Sequence, residues 1–99
     1  MKPFVAWEGV IDDDILEEAR MICRRLRASV RKLGDEPKES EIIPYLERFV
    51  RDFNRLETAH EFITKDEALD IVEWFQLYVA DLDIGIMDLD ELDGVERIW

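Results

Sequence analysis

From Asp12 onward, apolar residues return at intervals of four and three: Ile15, Ala19, Ile22, Leu26, Val30 and Leu33, with Leu16 and Cys23 widening the stripe. That spacing gives a helix one apolar face. Asp12, Asp13 and Asp14 stand where a helix start favours carboxylates, and Gly34 stands where a helix stops, so a first helix is predicted over 12–33. "GDEPKES", residues 34–40, reads as a polar turn. Leu46, Phe49, Val50, Phe53 and Leu56 form a second stripe and predict a helix over 41–60, with Ser40 as its cap or Pro44 as its first residue. Thr64 and Glu67 match a reciprocal capping pair, with Ile63 as a staple, and open a third helix over 65–82. Its inward face is Ala68, Ile71, Val72, Phe75, Val79 and Leu82. At about 100° per residue, Trp74 and Leu77 point away from that face and need another cover.

The two ends admit two readings. "FVAW", residues 4–7, alternates like a short strand, and Ile84, Ile86 or the closing "VERIW" could pair with it. A short helix over 88–93, stopped by Gly94, fits equally well. Nothing repeats beyond two copies of "DLD". The expected fold is mainly α: a three-helix antiparallel bundle, one domain over 1–99, with the N-terminal and C-terminal segments packed on it and a short strand pair as one way of closing its open side.

At 99 residues the chain can hold one modest core, burying roughly 60–65% of its unfolded surface. Five Phe, three Trp and two Tyr argue for a folded body despite the charge. Cys23 is the only cysteine, so no internal disulfide forms. No apolar run is long enough to span a bilayer, and acid follows the start too soon for a signal peptide, so a cytoplasmic protein with no membrane partner is expected.

Charge changes the picture more than composition does. The net charge is −12, and it is segregated: residues 20–33 hold six basic residues and no acid, whereas residues 34–99 hold six basic and 19 acidic. Direct binding to nucleic acid is disfavoured, because phosphate affinity comes from counterions released by Lys and Arg. Arg20, Arg24, Arg27 and Arg31 line one ridge of the first helix, and only Glu17 is placed to pair within that helix, through Arg20. Acids from elsewhere in the chain are expected to neutralise the ridge; the other reading is an anion site built from guanidinium forks.

The segment "DLDIGIMDLDELDGVERIW" carries Asp81, Asp83, Asp88, Asp90, Glu91 and Asp93 among regularly spaced Ile, Met and Leu. It is not an EF-hand, because Gly85 and Gly94 fall at the wrong places for a calcium loop. Such a row can imitate phosphate spacing and enter the basic cleft of a nuclease or DNA-binding protein, with Trp74 and Trp99 as anchors. In the plainer reading, Ile84, Ile86, Leu89, Leu92 and Trp99 fold back over Trp74 and Leu77 while the acids face water. The two readings are compatible.

His60 is the only histidine. With Glu57 it makes the i, i+3 pair of carboxylate di-iron bundles, but no second histidine completes such a site. "RLETAH" also resembles the R-x4-H signature of the HEPN ribonucleases, a resemblance that covers Arg55 and His60 and departs at Leu56, where that family commonly has a polar residue. The resemblance implies Arg55 steadying an RNA phosphate and His60 as general base. No phosphate loop, zinc spacing or Ser-His-Asp set accompanies it, and no cofactor or metal is expected.

The expected function is therefore binding without catalysis. The chain reads as a small acidic inhibitor, of immunity type or a phage counter-defence (anti-CRISPR) type, that blocks a basic, nucleic-acid-handling protein. Asp81, Asp83, Asp88, Asp90, Glu91 and Asp93 would steer, and Trp74 and Trp99 would anchor. The alternative is a structural or adaptor subunit that dimerises or docks through Trp74 and Leu77. Nine Arg against four Lys under such acidity also suits a salt-adapted cytoplasm.

Overall fold

The computed structural model describes residues 2–99. Three helices, α1 (Asp13–Arg31), α2 (Glu39–His60) and α3 (Lys65–Leu82), are flanked by short 3-10 turns at Val5–Trp7 and Leu89–Glu91. Among the described residues there is no strand.

Each helix starts and stops for a local reason. The Asp12 carboxylate accepts the Asp14 N–H at 2.9 Å and opens α1. At its far end the amides of Leu33 and Gly34 bond three residues back, to Val30 and Arg31, so the last turn tightens before Gly34 takes φ 107°. Helix α2 begins at Glu39, ahead of both sequence-based starts, because Glu41 accepts the Lys38 N–H at 3.4 Å. Pro44 therefore lies inside the helix, and the partner its missing N–H would have had, the Ser40 carbonyl, belongs to an exposed residue where water can serve it. At α3 the Glu67 carboxylate takes both the Thr64 N–H (3.0 Å) and the Thr64 hydroxyl (2.6 Å).

The helices run up, down and up. Glu18 and Met21 of α1 face Ala59 and His60 of α2, while Ser29 faces Tyr45 and Arg48, so α1 and α2 are antiparallel. Phe49 of α2 meets Phe75 of α3 at 5.7 Å between ring centroids, and Phe49 and Phe53 lie 5.0 Å apart in the same layer. The core is hydrocarbon, aromatic rings and the Cys23 thiol, and among the described residues no polar or charged side chain is fully buried. Its centre holds Phe49, Phe53, Phe75, Ile42, Leu46 and Ile71, each essentially inaccessible to solvent.

The expected strand pair does not form. Within "FVAW", Val5–Trp7 form a 3-10 turn preceded by Phe4 at φ 63°. A strand would send Phe4 and Trp7 to opposite faces, whereas a 3-10 turn superimposes positions i and i+3. Here the two rings stack at 4.2 Å and enter the bundle together, Phe4 against Phe53 and Trp7 against Phe62. Leu89 and Leu92 at the other end obey the same spacing and are both buried. Contrary to expectation, the tail leaves Leu77 uncovered. It lies along α2, with Trp99 on Phe53 at 6.0 Å, while its Leu89–Glu91 turn rests against α3, and Leu77 stays 65% exposed.

Candidate functional site

The acid-bearing tail is anchored by side chains and by its own backbone. Leu89 and Leu92 sink into the core. Between them the chain is shaped by its carboxylates: Asp88 accepts the Leu89 N–H at 2.7 Å, and Glu91 accepts the amides of Met87 at 2.5 Å and Asp88 at 2.8 Å. The tail then follows α2 in the helix's own direction. The Glu39 carboxylate lies against Gly85, Glu47 accepts the Gly94 N–H at 2.7 Å, and Asn54 grips the last turn of chain. Asn54 donates from Nδ2 to the Glu96 carbonyl at 2.7 Å and accepts the Ile98 N–H at 3.2 Å, the two-point contact one strand makes with another, supplied by a single amide side chain. Arg97 covers the Trp99 ring at 4.9 Å and reaches Asp90 at 3.6 Å.

Removing the Asn54 grip has a defined expected result. Asn54→Ala should cost about 1 kcal/mol, the net value of a partly exposed pair of hydrogen bonds. Amide exchange at Ile98 should speed up while the core amides of α2 keep their protection.

Glu91 supplies a pH dependence. The two backbone amides it accepts hold its carboxyl below the usual carboxylate range. Its folded pKa is lowered, so its contribution is present at neutral pH and fades as pH falls through that depressed value. The Met87 and Asp88 amide resonances should titrate together in that acidic window, and Glu91→Gln should abolish the step.

The acids of the tail are not consumed by the basic ridge. Arg20 turns to the N-terminal segment, donating to the Pro3 carbonyl and to Glu8, each at 3.0 Å. Glu17 pairs with Arg24 at 2.5 Å, in place of the Arg20 pairing expected from spacing. Arg25 reaches Asp52 of α2 at 3.0 Å. Arg27 and Arg31 enter no salt bridge among the described residues; both flank the Tyr78 hydroxyl, which burial pushes above its usual pKa while the two guanidiniums oppose the shift. Of the six tail acids only Asp90 is ion-paired among the described residues, and its partner Arg97 belongs to the tail itself.

The residues singled out from the sequence separate into two places. Asp83, Asp90, Glu91 and Asp93 are exposed and Asp88 half-exposed along the α2/α3 side. Asp81, Trp74 and Leu77 instead line a groove against Arg27 of α1. Both expected anchors hold up the fold: Trp74 stacks on Phe49 at 5.4 Å and on Tyr78 at 5.3 Å, and Trp99 packs on Phe53. The exposed apolar residues beside the acids are Met87 and Ile98, at 72% and 60%. Glu39, Glu47 and Asn54 were missed from the sequence, because their partners lie more than forty residues away and no periodicity marks them.

Arg55 and His60 do share a surface, a groove of about 450 Å³ between α1 and α2 that Met21 and Arg25 also line. Glu57 is turned away from it to accept the Ile63 N–H at 2.9 Å. Among the described residues no three His, Cys, Asp or Glu side chains gather as a metal set. Cys23 is buried, and that burial raises its thiol pKa far above the reactive range, with Arg27 opposing weakly. Among the described residues no helix is long and apolar enough to cross a membrane. Compared with models of protein families, with curated proteins and with solved structures, the chain gives no match.

Proposed function

We propose that this protein is a binding protein that presents its tail acids, at fixed spacing, to a basic protein that handles nucleic acid, and so blocks it. One observation carries the reading. Asp83, Asp90 and Asp93 project from a segment whose hydrocarbon side is buried through Leu89 and Leu92, and among the described residues none of the three is ion-paired with the arginine ridge of α1. A carboxylate row on a mobile tail would have to be ordered on binding, at a backbone cost of about 1–2 kcal/mol for each residue fixed. A row already held by the fold avoids most of that cost and adds the long-range attraction of a −12 chain, which speeds encounter with a cationic surface. Inhibition of immunity or counter-defence type follows when that surface is the partner's nucleic-acid cleft.

The test compares the native protein with the triple variant Asp83→Asn, Asp90→Asn, Asp93→Asn, both immobilised and exposed to host extract at low salt. A basic, nucleic-acid-handling protein should be retained by the first and lost by the second. Affinity for the purified partner should fall steeply with ionic strength, because charged encounters are screened within about 8 Å at physiological salt. Retention that ignores both salt and the substitutions would sink the proposal. The adaptor reading keeps one specific support, the exposure of Leu77 between Trp74 and Asp81, and it predicts salt-insensitive docking instead.

A further inference from the structure

Beyond the tail, one face of the molecule differs from the rest. It lies where α1 and α3 meet, and its centre is apolar: Trp74 and Tyr78 form a shelf, and Leu77 stands out from it at 65% exposure. Lys2, Arg27 and Arg31 surround that centre together with Asp35 and Asp81. Among the described residues none of these five charges enters a salt bridge, although they line two grooves that share Arg27 and Asp81. In a chain of net charge −12 this patch is nearly balanced and carries both signs unpaired around a hydrocarbon centre.

A two-fold contact requires a surface that complements itself, so that residue i meets residue j and residue j meets residue i. We infer that this α1/α3 face binds a second copy of the same chain, with Leu77 against the equivalent leucine and Arg27 of each protomer paired with Asp81 of the other. Charge selects this occupant. Two copies meeting through the tail or through Asp12–Asp14 would press like charges together, whereas here each guanidinium can find a carboxylate and the apolar centre loses its water. A purely acidic peptide would satisfy Arg27 and Arg31 but leave Asp35 and Asp81 facing like charge.

Sedimentation of the full chain from micromolar to millimolar concentration, at physiological salt, is the test. A species of twice the 11.8 kDa chain mass should grow in with concentration, and Leu77→Glu should remove it. Arg27→Glu and Asp81→Arg should each weaken association about tenfold or more, since either change places like charges opposite one another, and the double reversal should recover most of the loss. Both charged positions are exposed, so the reversal series remains readable even if Leu77→Glu perturbs folding, with circular dichroism as the check. A monomer at every concentration overturns the inference. So does a dimer indifferent to Leu77→Glu in a folded variant, or a double reversal no better than its singles, or a monomer that binds an acidic peptide through Arg27.

Discussion

Phe53→Ala should cost about 3–5 kcal/mol, the range for emptying a fully packed aromatic site, against a total stability of about 5–15 kcal/mol for a domain of this kind. Phe53 has no exposed surface. Three rings lean on it: Phe49 at 5.0 Å from its own helix, Phe4 at 6.2 Å from the N-terminal turn, and Trp99 at 6.0 Å from the tail. The loss should therefore exceed that of a peripheral Phe and reach both ends of the chain together. Thermal denaturation should show a midpoint lowered by more than about 10 °C. The Trp99 indole should also become solvent-exposed below that midpoint, read as red-shifted emission. Phe53→Leu keeps hydrocarbon in the site and should recover much of the stability. A Phe53→Ala protein with unchanged midpoint would mean that the tail and the N-terminal turn are not seated on α2.

Trp7→Ala is the second large expected effect, again about 3–5 kcal/mol. Trp7 is 2% exposed, stacks on Phe4, packs its edge on Phe62 and donates from Nε1 to Asp70 of α3 at 2.9 Å. It joins the N-terminal turn, the loop after α2 and the third helix. Trp7→Phe keeps a ring in the site but loses both the indole N–H, whose half-exposed acceptor can turn to water at a net cost of about 0.5–1.5 kcal/mol, and the volume of the second fused ring. Chemical denaturation should therefore show a clearly smaller loss for Trp7→Phe than for Trp7→Ala. Equal losses would place the effect in the second ring and its Asp70 contact, with nothing contributed by the ring that Phe retains.

The same two residues mark the boundary of what could be read from the chain. Helix α3 was predicted to the residue, because a capping pair fixes its start and an unbroken stripe from Ala68 to Leu82 fixes its length. The apolar stripes of α1 and α2 likewise named Leu16, Ala19, Ile22, Leu26, Leu46, Phe49, Val50 and Phe53 as buried, as they are. Trp74 was more difficult. It sits on the flank of its helix, where angle alone sends it to solvent, and only the length of the indole lets it reach Phe49 across the bundle. The ends were harder still, since four residues such as "FVAW" fit a strand and a 3-10 turn equally until a neighbour demands that both rings face one way.

For the candidate site, the carboxylates were visible in the sequence and their freedom was not. Whether Asp83, Asp90 and Asp93 face a partner or neutralise Arg20, Arg24, Arg27 and Arg31 depends on which helix groove the tail occupies. The tail follows α2 because Glu47 and Asn54 hold its backbone and because Phe53 receives Trp99.

The sequence by itself determined the three helices, their inward faces, the strongly negative surface and the segregation of its charges, because these follow from periodicity, capping and composition within a few neighbouring residues. Tertiary structure alone decided that the tail lies along α2, that Trp74 and Trp99 serve the core, and that Arg27 and Asp81 share a face with Leu77. Those outcomes rest on contacts between residues far apart in the chain, where shape and the demand for backbone partners select one arrangement among several that local pattern allows equally.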